Sequence, residues 1–278
     1  VENPNVPAKS ERDYLLGTHD HELARLGIQH EVWRPTVLDC WKHAGISEGS
    51  RVLDVGAGPG FASLDLAELV GPGGEVVAVE RSGRFVQTAR EMCGRRGFRH
   101  VQVHELDLMT DVLPARDMDA AWCRWVACFV SSPRRLVESI AAALKPGGVA
   151  VFHEYVDYAS WRMAPPRPAF AEFVKEVMAS WRETGGEPDI APELIGHLGA
   201  AGFVIQEAVP RVFSVRPSDE FWRWPSSFME VYSGRLLELG RVDRGWVQKV
   251  REQFRAAEVD PRTLMITPMV LEIVAVRR

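Results

Sequence analysis

The sequence predicts an α/β fold organised around a parallel sheet, and three observations carry that expectation. Short apolar runs recur at 52–55, 76–79, 101–104, 118–123 and 149–152, segments with helical periodicity separate them, and glycine-rich turns punctuate the exchange. Strands that alternate with helices must be joined by crossovers, which cover both faces of the sheet and leave its strands apolar throughout. The 278 residues, 46% of them hydrophobic, suffice for the core of one large domain.

Residues 13–45 read as helical, with Tyr14, Leu15, Leu23, Leu26, Val32, Trp33, Val37, Leu38 and Trp41 at helical steps before Gly45. The first strand, Val52–Val55, runs into Gly56-Ala57-Gly58-Pro59-Gly60, a turn almost free of side chains. The second, Val76–Val79, ends on Glu80-Arg81-Ser82 before a helix marked by Phe85, Ala89 and Met92. The third, Val101–His104, precedes Asp107-Leu108, and the fourth is Met118–Cys123. Ser131-Ser132-Pro133 then starts a helix with a cap residue and a first-turn proline, striped by Leu136, Val137, Ile140, Ala141 and Leu144. Lys145-Pro146-Gly147-Gly148 stops that helix and feeds the fifth strand, Val149–Phe152. Beyond it the pattern predicts helices around Phe170–Trp181 and Pro192–Ala201, a strand over 203–215 interrupted at Pro210, helical composition over 218–257, and a final strand over 268–276.

A net charge of −5 provides no basic field for a phosphate backbone, so nucleic acid is not expected as a partner. The four cysteines, Cys40, Cys93, Cys123 and Cys128, lack Cys-x-x-Cys spacing and read as small buried hydrophobes, implying neither disulfide nor zinc. His19, Asp20 and His21 have no matching ligand group and read as polar surface or pocket rim. The first twelve residues contain no apolar signal core and no stretch approaches membrane-spanning length, which predicts a cytoplasmic protein. Val1 in place of methionine predicts a trimmed or processed start, and a homodimer is one open expectation.

Glycine spacing discriminates between nucleotide ligands. A dinucleotide fingerprint needs Gly-x-Gly-x-x-Gly, and counting from Gly56 its third glycine falls on Phe61. The Val52-Leu-Asp-Val-Gly-Ala-Gly-Pro-Gly60 stretch instead resembles motif I of the class I S-adenosylmethionine (SAM) dependent methyltransferases. Glu80 and Asp107-Leu108 fall where that family places its next two motifs, and the Leu-Lys-Pro-Gly-Gly turn matches its pattern. The resemblance covers residues 50–153 and is to the broad type that includes ubiquinone and menaquinone biosynthesis enzymes and many natural-product methyltransferases. It implies a Rossmann-like, seven-stranded, mostly parallel sheet whose last strand inserts antiparallel, with N-terminal helices and a helical cap. The implied organisation is a helical cap segment at 1–45, a SAM-binding core at 46–217 with a helical insertion at about 155–188, a lid at 218–265 and a final core strand at 266–278.

In this reading SAM is the methyl donor, S-adenosylhomocysteine (SAH) the product, and the acceptor a small apolar or aromatic molecule. Asp54, Gly56, Ala57 and Gly58 hold the cofactor, Glu80 accepts the ribose hydroxyls with Arg81 next to it in the cofactor-binding set, and Asp107-Leu108 meets the adenine. Arg124 and, by a weaker likeness to an N-terminal aromatic that closes over SAM, Tyr14 complete the set. Glu80 has an alternative role as a solvated helix-capping carboxylate. The acceptor is expected over the ends of strands four and five, with His153 as base, Glu154 orienting it or binding a cationic acceptor, and Trp125, Tyr155, Tyr158, Trp222, Trp224 and Tyr232 as walls. A satisfied buried histidine and ordinary core aromatics are the competing readings. Strand four ends in Cys123-Arg-Trp-Val-Ala127 and so lacks the Asn/Asp-Pro-Pro-Tyr/Phe signature of nucleic-acid base and glutamine N-methyltransferases. No metal-binding acidic set is evident, which predicts a metal-independent reaction. Two rivals remain: an NAD(P)-dependent oxidoreductase, opposed by Phe61 and Asp107-Leu108, and a catalytically silent SAM-binding protein.

Overall fold

The computed structural model describes residues 20–278. Its elements follow the order α1 (Asp20–His43), β1 (Arg51–Val55), α2 (Phe61–Val70), β2 (Glu75–Glu80), α3 (Gly83–Arg96), β3 (Val101–Glu105), β4 (Met118–Arg124), α4 (Pro133–Ala143) and β5 (Leu144–Asp157). Then come β6 (Arg162–Ala164), α5 (Pro168–Glu183), α6 (Ala191–Ala200), β7 (Phe203–Arg211), β8 (Ser214–Val215), α7 (Arg223–Glu238), α8 (Arg244–Val259), β9 (Leu264–Ile266) and β10 (Met269–Arg277).

Seven strands form one sheet in the order β3-β2-β1-β4-β5-β10-β7. The first five are parallel, and β10 lies antiparallel between β5 and β7. Strand order reverses between β1 and β4, the position where an open α/β sheet leaves a crevice at its carboxyl edge. The glycine turn, Glu80 and Arg124 all stand at that edge, following β1 or ending β2 and β4.

Local signals explain the helix starts. Ser82 caps α3 by accepting the Phe85 N–H (3.3 Å), and Ser132 caps α4 by accepting the Arg135 N–H (3.3 Å) ahead of Pro133. Leu136, Val137 and Ile140 are fully buried, as the stripe predicts. Pro210 does not interrupt β7. Among the described residues that strand pairs only with β10, and a proline at a sheet edge removes no ladder bond that a second neighbour needs. The fifth strand extends well past both ends of the predicted run, and β6, β9 and β8 form a small second sheet that the sequence did not announce.

The core is centred beneath α1. Trp33 is fully buried and meets the rings of Trp125, His153, Phe213, Phe221 and Trp224 at centroid distances of 5.0–5.8 Å, all at steep angles. It thereby joins β4, β5 and the segment leading into α7, which itself packs on α1. Trp33→Ala should cost about 3–5 kcal/mol of unfolding free energy, read from urea denaturation; a loss below about 1 kcal/mol would show that this junction carries little.

Candidate active site

The turn after β1 owes its shape to its glycines. Gly56 (φ +67°) and Gly58 (φ +55°) are left-handed, a region costly for residues with a Cβ. A methyl group at Gly56 would overlap the Val126 side chain, so this glycine lets the loop after β4 press against the turn. Among the described residues, a methyl group at Gly58 would meet no atom within 4 Å beyond its chain neighbours, which leaves its backbone bare on one side.

Glu80 turns into this bare region and is 5% exposed. Its Oε2 accepts the Gly58 N–H (3.0 Å) and its Oε1 the Ser82 N–H (2.8 Å). Burial raises its pKa, opposed by those two N–H groups. Asp54 lies inside the turn, where burial pushes its pKa to about 6 against the hydrogen bond from the Ser63 hydroxyl (2.6 Å). The Ala57 N–H donates to the Val79 carbonyl (3.0 Å), tying the turn to β2. Asp107 is exposed and accepts the Met109 N–H (2.8 Å), with Leu108 half-buried beside it.

Arg124 ends β4 with its guanidinium 5.7 Å from the Trp122 ring and 5.1 Å from the Trp125 ring. Burial lowers its pKa to about 10. Its Nη2 donates to His30 Nδ1 (3.4 Å), while its Nη1 is buried without a partner. A neutral His30 taking that bond at Nδ1 carries its proton on Nε2, which faces Asp65 Oδ2 at 3.1 Å. Arg34 Nε also donates to Asp65 (2.7 Å), and His30 stacks on Phe61 at 5.8 Å. Burial lowers the His30 pKa despite Asp65. His30 and Asp65 were not among the residues chosen from sequence; they lie 35 positions apart, and no local spacing marks them.

Trp125, Tyr155 and Trp224 form one stack. Trp125 lies 5.6 Å from each of the other two, at interplanar angles of 17° and 16°. Tyr158 meets Tyr155 edge-on at 4.8 Å. Trp222 stands apart: its indole donates to Glu258 (3.1 Å) and its ring lies against Phe254, both on α8. The Tyr232 hydroxyl is engaged by Trp181 Nε1 and Ser180, each at 3.0 Å. Tyr14 lies outside the described residues.

His153 is completely buried between Trp33 and Trp122, and its Nε2 faces Glu272 at 2.9 Å. Burial lowers its pKa, with Glu272 pulling the other way. Glu272 also accepts from Arg211 Nη2 (2.8 Å); burial would raise its pKa, but the two hydrogen bonds bring it down to about 2. The Cys40 thiol, its pKa raised by burial and by Glu272, closes this buried group, in which His153 Nδ1 has no partner.

Glu154 is also fully buried. Its Oε1 accepts the N–H groups of Val126 (2.7 Å) and Ala127 (2.8 Å), and its Oε2 has no partner. Burial pushes its pKa up to about 7 from an ordinary 4.5, against those N–H groups. The folded protein therefore binds this proton more tightly than the unfolded chain does. The resulting stabilisation is complete below pH 4.5 and is lost as pH rises through 7. Glu154→Gln keeps an acceptor for both N–H groups and removes the titration, so the decline of the urea midpoint between pH 5 and pH 8 should flatten; an unchanged decline would assign the slope to other groups.

Comparison with known proteins agrees with this geometry. Residues 53–152 match the family model described as "Methyltransferase domain". Demethylmenaquinone methyltransferase of Anoxybacillus flavithermus is 28% identical over 200 residues, covering 67% of this chain and 82% of that protein. The ubiquinone/menaquinone biosynthesis C-methyltransferase UbiE of Pasteurella multocida is 28% identical over 160 residues, and there the match spans only 58% of the relative and 53% of this chain. Among solved structures, geranyl diphosphate C-methyltransferase of Streptomyces coelicolor A3(2) shares the fold, with a TM-score of 0.57 at 15% identity over 95% of this chain and 87% of that one. The [4+2]-cyclase SpnF shares it too, with a TM-score of 0.54 at 22% identity over 88% of this chain and 80% of that one. The open sheet with its antiparallel β10, the glycine turn with Glu80 folded over it, and the match across β1 to β5 agree: residues 53–152 carry a methyltransferase domain, and the chain is similar in sequence and fold to SAM-dependent methyltransferases.

Proposed function

We propose that the chain moves a methyl group from SAM to an apolar or aromatic small molecule by in-line displacement. The observation that carries this reading is the carboxylate of Glu80 held over the bare backbone of Gly58. A carboxylate there accepts paired ribose hydroxyls, and a turn without side chains lets the adenosine lie against peptide. Arg124 Nη1, buried without a partner, fits the carboxylate of the cofactor's amino-acid tail, and His30 braces the same guanidinium. Asp54, Gly56 and Ala57 complete the turn, Arg81 stands beside Glu80, and Asp107-Leu108 takes the adenine edge.

The cofactor's sulfonium supplies a methyl group already activated for transfer. The chain's own work is then positioning, exclusion of water, and removal of a proton where the acceptor carries one. Trp125, Tyr155 and Trp224, stacked on one another and buried, would back the wall of an apolar acceptor site, with Tyr158 behind them. Enclosed by Trp33 and Trp122 and engaged by Glu272, His153 fits a supporting role under this surface: its carbonyl accepts the Trp125 N–H (2.9 Å). Glu154 supports the same loop one residue further on.

Calorimetry tests the reading. SAM and SAH should bind and NADH should give no heat; the reverse result would favour the oxidoreductase alternative. Gly58→Ala provides the sharper measurement, because its new methyl group meets no atom of the described residues beyond its chain neighbours and falls where the ligand is proposed to lie. Backbone strain should cost about 1–2 kcal/mol of stability, while SAH affinity should fall at least about tenfold. Undiminished SAH affinity would move the cofactor off this turn.

A further inference from the structure

The cofactor turn is faced by one cation whose aim is set from elsewhere in the fold. Arg124 ends β4 at the carboxyl edge, and Asp54 inside the turn lies within electrostatic reach of both Arg124 and Glu80, so the guanidinium and the Glu80 carboxylate flank one place. Arg124 keeps some contact with solvent, while its Nη1 is buried and unpartnered among the described residues. The rings of Trp122 and Trp125 hold its guanidinium, at 5.7 and 5.1 Å, without deciding which nitrogen faces which way. That decision falls to the bond from Nη2 to His30 Nδ1 (3.4 Å).

His30 can take that bond in one protonation state only. Neutral, with its proton on Nε2, it donates to Asp65 (3.1 Å) and offers the Nδ1 lone pair to Arg124. A second proton would occupy Nδ1 and set a donor against a donor. Among the described residues the charged groups that face the imidazole come from three elements: Asp65 of α2, Arg124 of β4, and Arg34 one turn on in α1, which donates to Asp65 (2.7 Å) and has Glu68 of α2 at 3.9 Å. Phe61 of α2 stacks on the ring at 5.8 Å. Burial lowers the His30 pKa, Asp65 pulls it up, and Arg124 and Arg34 push it down, with a net shift below 6.5. The imidazole is therefore neutral at pH 7 and takes up its second proton on the acid side of 6.5.

We infer that His30 is the positioning residue for the cofactor's amino-acid tail: uncharged, it aims Arg124 Nη1 at the tail carboxylate, and protonated it lets that aim go. This role rests on the methyl-transfer reading and adds the condition under which the site takes the tail. A guanidinium and a carboxylate gain most when two N–H groups lie parallel to the two oxygens, so a small rotation of Arg124 costs a charge-assisted bond. The charge brought by the second proton is met by Asp65 on the far side of the ring, which leaves little net attraction for the tail to set against the lost bond. The adenosine, against Gly58 and Glu80 in that reading, is not touched by His30. Recognition of the tail is thus acid-sensitive through His30, and recognition of the nucleoside is not.

The test compares SAH with 5′-methylthioadenosine, which has the same nucleoside and sulfur and no amino-acid tail, by calorimetry on the full chain at pH 7.5 and pH 5. The SAH carboxylate stays ionised over that range. In the wild-type protein SAH affinity should fall at least about threefold more on acidification than that of 5′-methylthioadenosine. His30→Gln, whose amide can donate to Asp65 and accept from Arg124 without titrating, should rescue the preference for SAH at pH 7.5 and lose the additional acid fall. It retains Asp54 and Glu154, whose pKa values of about 6 and about 7 lie in the same range, and so separates their effects from that of His30. His30→Phe keeps a ring against Phe61 and removes the acceptor; SAH affinity should drop at least about fivefold at pH 7.5 with 5′-methylthioadenosine unaffected. An acid fall equal for the two ligands, a fall that persists in His30→Gln, or full SAH affinity in His30→Phe would overturn the inference and leave the cofactor reading standing. Binding of neither ligand by the wild-type protein would overturn both.

Discussion

The contact between Val126 and Gly56 sets the geometry of the whole carboxyl edge. Because Gly56 has no side chain, the loop after β4 settles onto the turn after β1, and Glu154 reaches from β5 to hold that loop by two N–H groups. Three adjacent strands are thus locked at the level where a ligand would lie. The cost is a carboxylate buried to the last atom, with one oxygen unpaired and a pKa near 7. Such an arrangement is not the most stable available to the chain, and departures of this sort gather where function overrides packing.

On either side of that contact lie two regions of different chemistry. Toward α1 and α2 the groups are polar and linked: His30 bonds Asp65 (3.1 Å) and Arg124 (3.4 Å), and the Arg124 charge faces Asp54 within the same buried region. Toward α7 the surface is aromatic and carries few polar atoms. Trp224 bridges the two, stacking on Trp125 while its indole donates to Gln29 of α1 (3.2 Å). Polar recognition beside one wall and flat apolar surface beside the other suits a charged cofactor meeting an uncharged acceptor. The fold alone does not dictate that pairing, as the likeness to a [4+2]-cyclase makes plain.

What could be read from sequence was whatever is encoded within a few residues. The glycine turn, the acidic end of β2, the Ser132 cap and the stripe of α4 from Leu136 to Ala141 all depend on neighbours in the chain, and each fell where expected, while Leu144, expected in that stripe, opens β5. The antiparallel last strand was legible only through family resemblance, since nothing in 268–276 specifies its partner. Couplings across long separations left no trace: His30 with Asp65, Arg124 with His30 (94 apart) and His153 with Glu272 (119 apart). The small second sheet escaped notice because its strands are two or three residues long. His153 looked like a candidate base for its position beyond a strand end; the strand continues past it to Asp157, which encloses the imidazole instead of presenting it.

The placement of β10 has a consequence for how the molecule is assembled. This strand follows every other core strand in chain order, yet it occupies an interior seat, with β5 on one flank and β7 on the other. While a ribosome is still making residues 269–277, both flanking strands present naked hydrogen-bonding rims, and β5 is apolar over much of its length. The nascent chain thus spends time as a template for mispairing with its copies, and closure waits for contacts of very long loop span. When β10 arrives it acts as a zipper: it seals two rims together and carries in Glu272, whose charge takes up both His153 and Arg211.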